Sequence, residues 1–231
     1  MNLKTNNTDK NTIESIMDGE TTGTDKEKQL LIDQFVCLST TKGDNQGSII
    51  LESRMHHGQF ISPGAFNARG LKLADVLNKN KLSGLEFAQR LYPFFKTCHN
   101  RVFIAHNAKY EEKTLINTKD WYGMTNYYDH KFQGNSLRDS LPTLRAYGGL
   151  KGLSFYNHNT KKYSLSQENI SSTILSDDQR KTLPNLRHNA LYDVPELKLL
   201  MENTRHPEIQ NYLENYRDLE KRNEFLKNKI F

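Results

Sequence analysis

One short apolar segment constrains the fold of this chain more than any other feature. Arg101–Ala105 has the length and composition of a buried strand, and a helical pattern over residues 108–117 follows almost directly. Three earlier segments, at residues 13–17, 30–38 and 48–51, also have the apolar character of strands. Strands that lead into helices are typical of α/β proteins, so the sequence predicts an α/β fold with one central sheet.

The connections indicate how these strands are arranged. Residues 43–47 (GDNQG) have the composition of a hairpin turn, so the first three strands are expected to form an antiparallel meander. Ser83 and Glu86 have the spacing of a capping box, which predicts the start of a helix ahead of Arg101. A meander followed by helix, strand and helix predicts a mixed sheet flanked by helices.

Other parts of the chain are less regular. Residues 54–80 are interpreted as a loop, since the pair Pro63-Gly64 interrupts any periodic pattern. Between residues 121 and 163, only 141–147 has the pattern of an ordered element, and residues 188–201 form the last helical pattern of the core.

The two ends of the chain differ from its centre. Residues 1–12 are polar and predict a flexible N-terminus. Residues 205–231 are rich in charge, with apolar residues near heptad spacing, and predict a helical extension that packs on the domain.

Composition excludes several classes of protein. The chain has 231 residues, enough for one large domain whose core needs no disulfide or metal. No run approaches the roughly 18 consecutive apolar residues of a membrane span. Cys37 and Cys98 are too few for a disulfide framework, and the N-terminus lacks an apolar signal segment, so we expect a cytoplasmic protein. The net charge of +5 is compatible with a polyanionic partner.

Acidic residues follow the first strand pattern in the sequence DGETTG. Asp18 and Glu20 are two residues apart, and the period of a strand directs both side chains to the same face. Two like charges on one face repel each other, so the arrangement needs a cation or a raised pKa. Two solvated acids in a turn are the alternative interpretation of this segment alone.

Two later segments combine a histidine with an acid. In HNAKYE, Glu111 falls in the first turns of the helix after the buried strand, where an acid near a helix N-terminus is also favourable for structural reasons alone. In HNALYD, His188 precedes Asp193 by five residues around a helix start, so the carboxylate can join a metal site while the imidazole reaches over it. A surface histidine beside an N-terminal acid is the alternative.

Together and in this order, the three segments resemble the three motifs of the DEDD-type 3′→5′ exonucleases, histidine subgroup. The resemblance extends over residues 13–201, and residues 61–66 (ISPGAF) and 83–95 are most similar to the nuclease domain of bacterial exonuclease I. The segment HNALYD is also similar to ribonuclease T. The resemblance implies an RNase H-like fold and an exonuclease domain over residues 13–204.

The chemistry that the resemblance implies is hydrolysis of a terminal phosphodiester with two Mg²⁺ ions, for which Mn²⁺ can substitute. Mg²⁺ prefers hard oxygen ligands and retains several waters, so a few carboxylates and a substrate phosphate hold it. By the resemblance, Asp18, Glu20 and Asp193 hold the ion beside the attacking water, and Asp18 bridges to the second ion. Glu111 supports the site through water, and His188, with an ordinary pKa near 6.5, takes a proton from the attacking water.

The resemblance also implies substrate contacts. The backbone around Thr21 and Thr22 is expected to meet the terminal 3′-hydroxyl, and Gly23 permits a close approach. His106 and Asn107 complete the expected substrate-binding residues. The implied partner is the 3′ end of a single-stranded nucleic acid, with DNA favoured over RNA, and a replication or repair protein is a further candidate.

Two positions depart from the family pattern. The second motif normally ends in Asp, and here it ends in Glu111, whose extra methylene lengthens its reach by about one carbon–carbon bond. Pro195 lies two residues after Asp193, where it would interrupt a helix. We expect the helix to begin near Val194, so that Pro195 falls in its first turn.

The sequence therefore favours a metal-dependent 3′→5′ exonuclease that releases nucleoside monophosphates from single-stranded DNA. An exoribonuclease that trims RNA 3′ ends stays open, because no residue indicates a contact to the 2′-hydroxyl that distinguishes the two polymers. A catalytically weakened nuclease fold that binds nucleic acid is the third hypothesis, and Glu111 and Pro195 are its only support.

Overall fold

A five-stranded mixed sheet forms the centre of the domain in the computed structural model. Its strands are β1 (Ile13–Thr21), β2 (Ile32–Ser39), β3 (Ile49–Glu52), β4 (Arg101–Ala105) and β5 (Ser136–Asp139). They lie in the order β3-β2-β1-β4-β5, antiparallel on the β2 side of β1 and parallel on the β4 side. The residues that the structure describes are 13–23, 30–54, 61–98, 100–124, 136–157, 160–183, 189–205 and 207–209.

Helices cover both faces of this sheet. They are α1 (Pro63–Ala68), α2 (Leu73–Val76), α3 (Gly84–Thr97), α4 (Ala108–Trp121), α5 (Leu141–Lys151), α6 (Gln167–Ile174), α7 (Asp177–Lys181) and α8 (Ala190–Asn203). A small hairpin of β6 (Tyr156–Asn157) and β7 (Lys162–Tyr163) precedes α6. The predicted α/β class, the mixed sheet and the antiparallel meander are confirmed.

Alternation along β1 divides the core into two layers. Met17 is fully buried in one hydrophobic cluster together with Phe87 of α3 and Leu115 of α4. Ile16 is fully buried in the other cluster, which includes Val194 of α8. Because successive side chains of a strand point to opposite faces, β1 presents its even-numbered residues to α8 and its odd-numbered residues to α4.

Two side-chain hydrogen bonds fix α4 against the sheet. The hydroxyl of Thr118 accepts a hydrogen bond from the backbone N–H of Ile32 at 2.9 Å and donates one to the carbonyl of Thr114 at 2.8 Å. One turn from the helix start, the Tyr110 hydroxyl lies 2.9 Å from the Thr21 hydroxyl oxygen. The position of α4 relative to β1 and β2 is therefore set at both ends of the helix.

Several predicted boundaries are wrong. The first strand continues through residues 18–21, because pairing with β2 extends to Thr21 opposite Ile32. The acids Asp18 and Glu20 therefore lie within a strand, not in the turn after it. Residues 54–80 contain two short helices, and Pro63 begins the first of them, since proline is favourable in the first turn of a helix.

The helices are also longer than their patterns indicate. The helix that follows β4 continues to Trp121, and the helix predicted over residues 141–147 continues to Lys151. The prediction missed α6 and α7, whose short polar sequences carry little periodicity. Ser83 caps α3 with the predicted capping box to Glu86.

The expectation for Pro195 is wrong. Helix α8 begins at Ala190, so Pro195 lies in its second turn and not in its first. The helix begins before the predicted start near Val194 because Asn189 caps it. The Asn189 side chain accepts a hydrogen bond from the N–H of Leu191 at 3.0 Å. Proline has no N–H, so α8 lacks one backbone hydrogen bond at Pro195, two residues after Asp193.

Some expectations lie outside the described residues. The N-terminal residues 1–12 and the extension over residues 210–231 are among them, and both stay predictions. Within the described ranges, no helix is both long and apolar enough to cross a membrane.

The contact between Thr118 and Ile32 generates a stability prediction. Thr118→Val keeps the shape of the side chain but removes the hydroxyl that accepts a hydrogen bond from the buried N–H of Ile32. We expect urea denaturation to show a loss of about 1–3 kcal/mol in the free energy of unfolding. Thr118→Ser retains the hydroxyl and is the matched control. A valine variant as stable as the serine variant would contradict this account of α4.

Candidate metal and active site

The candidate site lies where β1 extends beyond its parallel neighbour β4. The pairing of these strands ends at Ile16 opposite Ile104, and β4 ends one residue later. Asp18 and Glu20 follow on β1, with a register irregularity directly after Glu20. Bulges of this kind are common beside active sites. The edge at which parallel strands end and helices begin is the usual ligand site of α/β folds.

Three acids meet at this edge. Asp18 and Glu20 lie on the face of β1 that α8 covers, and Asp193 is in the first turns of α8. One carboxylate oxygen from each of the three lies within 4.8 Å of the others. All three side chains are partly buried. The fold thus brings together acids from the first and third of the sequence segments, which is the arrangement that the resemblance implies.

Glu111 approaches the same strand from the opposite face. It lies in the first turn of α4, and only 3% of the residue is exposed. Its Oε2 atom is buried without a hydrogen bond and lies 3.0 Å from the position that a Cβ atom on Gly19 would occupy. The second sequence segment therefore also reaches the site, through a carboxylate packed directly against the backbone of β1.

Burial and mutual repulsion raise the pKa of the clustered acids. The pKa of Asp18 rises from 3.8 to about 7, mainly because burial disfavours its charged form and further because Glu20 lies beside it. The pKa of Asp193 rises from 3.8 to about 9, first by burial and then by the charges of Asp18, Glu20 and Glu196. Without a cation, the site therefore retains protons at neutral pH.

The pKa of Glu111 is raised for the same reasons as those of Asp18 and Asp193. Burial raises its pKa well above the ordinary value of 4.5, and the charges of Asp18 and Glu20 raise it further. The nearby backbone N–H of Gly19 acts in the opposite direction. The influence of Asp18 and Glu20 on Glu111 shows that the acids on the two faces of β1 form one electrostatic unit.

Arg69 is a cation beside this unit that the sequence did not indicate. One of its guanidinium nitrogens donates to both carboxylate oxygens of Asp33 at 2.8 Å, and its Nε lies 3.6 Å from Glu20. The positive charge lowers the pKa of Asp18, although burial and Glu20 outweigh it. Arg69 follows α1, in a segment interpreted as a loop, so no periodic signal was available for it.

Glu196 is a further acid that sequence reasoning missed. It is 4% exposed and lies one helical turn after Asp193 on α8. Gln167 donates to it at 3.0 Å and Tyr192 donates to it at 3.1 Å. These residues line a cleft together with Asp18 and Asp193. The three-residue spacing from Asp193 was the signal that could have identified Glu196.

The predicted substrate residues of the DGETTG segment lie at the site, and protein contacts hold their side chains. The Thr21 hydroxyl donates to the carbonyl of Gly23 at 2.9 Å, and the Thr22 hydroxyl accepts from the N–H of Leu31 at 3.2 Å. The Thr22 backbone N–H also donates to Leu31. Thr21 and Gly23 line a second cleft with Glu20, and their substrate contacts stay a prediction.

His106 and Asn107 form the corner between β4 and α4. The Nε2 of His106 donates to the carbonyl of Leu165 at 2.9 Å, and its Nδ1 lies 3.2 Å from the hydroxyl oxygen of Ser140. Burial lowers the pKa of this histidine. Asn107 adopts a left-handed conformation (φ 59°) at the start of α4 and lines the second cleft. The ring of His106 thus anchors the corner, and contact of either residue with substrate stays a prediction.

His188 lies outside the described residues, so its predicted role stays a prediction. It directly precedes Asn189, the capping residue of α8, and Asp193 follows in the same helix.

The donor set fits a hard divalent cation. Asp18, Glu20 and Asp193 offer carboxylate oxygens, which Mg²⁺ and Mn²⁺ prefer, and no thiol lines the described clefts beside them. Gln167 in the same cleft is already engaged with Glu196. The buried Oε2 of Glu111, which lacks a hydrogen bond, is a further oxygen beside this set.

The fold is shared with solved structures of exonucleases. The chain is similar to a solved structure of exonuclease I, with a TM-score of 0.68 and 20% sequence identity. The match covers 90% of this chain and 44% of that chain. It is similar to Escherichia coli exonuclease I in complex with a dA16 oligonucleotide (TM-score 0.67, 19% identity, 90% of this chain and 44% of that chain). The exonuclease I from Methylocaldum szegediense matches with a TM-score of 0.64 at 20% identity, over 94% of this chain and 45% of that chain.

These comparisons establish the fold. The predicted similarity to exonuclease I and the predicted α/β class with a mixed sheet flanked by helices are confirmed at that level. The chain spans less than half the length of the exonuclease I structures that it matches. No protein-family model matches the sequence, and no curated protein matches it either.

The raised pKa values of the acids predict how stability depends on pH. Between about pH 4 and pH 9, Asp18 and Asp193 bind more protons in the folded metal-free protein than in the unfolded chain, since their pKa values rise to about 7 and about 9. The free energy of unfolding must therefore fall as pH rises through this range, by on the order of a few kcal/mol.

Urea denaturation with a chelator at pH 5.5 and pH 9 measures this slope. Asp193→Asn removes one of the shifted groups and should flatten it, and millimolar MgCl₂ should restore stability to the wild type at pH 9. A metal-free protein that is equally stable at both pH values would show that the acids are not held together.

Proposed function

We propose that this chain is a divalent-metal-dependent 3′→5′ exonuclease that hydrolyses terminal phosphodiester bonds of single-stranded DNA and releases nucleoside monophosphates. The observation that carries the proposal is the convergence of Asp18, Glu20 and Asp193 within 4.8 Å, in a chain that shares its fold with exonuclease I. The solved exonuclease I structures include complexes with dA16 and dT13 oligonucleotides and a zinc-bound form with single-stranded DNA, which supports the substrate class and the use of a metal.

The chemistry of the acids supports the same proposal. Divalent ions held in such a site activate a water and stabilise the leaving oxygen of a phosphodiester. In this chain, Asp18 belongs to the cluster with Glu20 and Asp193 and also interacts electrostatically with Glu111, which suits it to bridge two ions. The raised pKa values of Asp18 and Asp193 mean that these groups release protons when a cation is bound.

His188 is proposed as the general base. Its place before the α8 cap, five residues ahead of Asp193, puts it in the sequence segment that supplies one of the metal ligands. An imidazole with a pKa near 6.5 is suited to accept a proton from a water near neutral pH.

The proposed partner besides DNA is a replication or repair protein. A structure of exonuclease I with the C-terminus of SSB supports a single-stranded-DNA-binding protein as that partner.

The central test replaces Asp18. Asp18→Asn removes one charge without changing shape and relieves repulsion in the metal-free site, so we expect a folded protein. Its rate of digestion of a 5′-labelled single-stranded oligonucleotide in MgCl₂ should fall by on the order of 10³-fold or more. The control is Asp178→Asn, which changes an acid that is 92% exposed in a surface ion pair with Lys181 and should retain full activity.

The same assay decides polarity and substrate. Digestion from the 3′ end shortens a 5′-labelled strand stepwise and releases a 3′ label at once as a mononucleotide. Faster digestion of RNA than of DNA would assign the RNA-trimming alternative. Full activity of Asp18→Asn would defeat the proposal, and a wild type that binds oligonucleotide but cleaves neither polymer would assign the weakened-nuclease alternative.

A second variant separates proton transfer from metal binding. His188→Asn removes the proposed base and none of the carboxylates, so Mn²⁺ affinity measured by calorimetry should change less than about threefold, whereas the cleavage rate should fall about 10²-fold or more. An unchanged cleavage rate would exclude His188 as the base.

A further inference from the structure

The unusual acid Glu111 packs against the one residue of β1 that has no side chain. Gly19 lies between Asp18 and Glu20 and faces α4, and it is fully enclosed. An ideal Cβ at this position would lie 3.0 Å from Oε2 of Glu111 and 3.4 Å from Cγ2 of Ile32. A Cβ added here would therefore make a close contact with the Glu111 carboxylate. It would also lie against Ile32, which is fully buried and leaves no space on that side.

Backbone conformation does not explain this glycine. Gly43, Gly70, Gly123 and Gly152 have positive φ angles, and Gly19 does not. It is paired with Phe35 inside a regular strand, where glycine is ordinarily unfavourable and marks a close approach of another group. The group that approaches here is the carboxylate of Glu111.

The helix that carries Glu111 cannot retreat to make room. Its N-terminal end is fixed by Tyr110 against Thr21 at 2.9 Å, and its other end is fixed by Thr118 against Ile32 at 2.9 Å. A side chain at position 19 must therefore displace the carboxylate of Glu111 and not the backbone of α4. The carboxylate is the part of Glu111 that lies against Gly19, between Asp18 and Glu20 in the sequence of β1.

We propose that Gly19 is a positioning residue. Because Gly19 has no Cβ, the longer Glu111 side chain fits against β1 with its carboxylate at the metal site. The metal-site half of this inference rests on the proposed function, whereas the steric pairing does not. The pair explains how this chain uses Glu where the family motif ends in Asp: an acid one methylene longer is matched by a strand residue without a side chain.

The test is a double-mutant cycle of Gly19→Ala and Glu111→Asp, with two readouts on the full chain. The first is the apparent dissociation constant for Mn²⁺ alone, by calorimetry. Gly19→Ala should weaken Mn²⁺ binding about tenfold when residue 111 is Glu, and less than about threefold in the Glu111→Asp background. The double variant should therefore bind Mn²⁺ within about threefold of Glu111→Asp alone, because the shorter acid leaves room for the added methyl.

The second readout is the urea midpoint of the metal-free protein, which needs no nuclease activity. Gly19→Ala should lower the midpoint with Glu111 and leave it unchanged or raise it in the Glu111→Asp background. Gly149→Ala is the matched control, since no atom lies within 4 Å of a Cβ there, and its effect should be the same with either acid.

The outcomes separate the pairing from the proposed function. Equal effects of Gly19→Ala in both backgrounds, by both readouts, would overturn the pairing, and so would a Gly19→Ala variant that fails to fold in both. Folding rescued by Glu111→Asp would support it. The two substitutions could be coupled in the urea midpoint and independent in Mn²⁺ affinity. That result would show that Gly19 and Glu111 only pack together, and it would overturn the positioning role. A wild type that binds no Mn²⁺ would defeat the proposed function, while the midpoints would still decide the pairing.

Discussion

Repulsion between desolvated carboxylates is the constraint on which this structure depends. The two layers of the core bury Ile16 and Met17 on either side of β1, and the same strand carries Asp18 and Glu20 on the face that α8 covers. Burial raises the pKa of Asp18 and of Asp193, and the charges of the neighbouring acids raise both further. A metal-free protein can hold this arrangement only by keeping protons on some of the acids, so a divalent cation is the natural counter-charge.

The surrounding residues moderate this repulsion without removing it. Arg69 supplies one positive charge at the Glu20 end and is itself bound to Asp33. At the α8 end, Gln167 and Tyr192 hold Glu196 by hydrogen bonds, which keeps that acid in a fixed orientation beside Asp193. On the opposite face, Glu111 has a buried oxygen without a hydrogen bond. The carboxylate oxygens of these acids are therefore the groups that would coordinate a bound cation.

The sequence predicted those features that depend on local pattern. Alternating apolar residues identified β1, β2 and β4, the capping box at Ser83 identified the start of α3, and period-two spacing placed Asp18 and Glu20 on one face. The contributions of Arg69 and Gln167 depend on contacts between segments distant in sequence, which carry no periodic signal. The approach of Glu111 to Gly19 depends on packing of α4, and the start of α8 depends on the Asn189 cap.

Anomalous diffraction from crystals soaked in MnCl₂ tests the central claim most directly, because it locates the metal without reference to activity. The account predicts Mn²⁺ coordinated by carboxylate oxygens of Asp18, Glu20 and Asp193, with Glu111 directed toward the site through the space above Gly19. Manganese bound only elsewhere on the molecule, or a soaked site in which these three carboxylates separate, would contradict it.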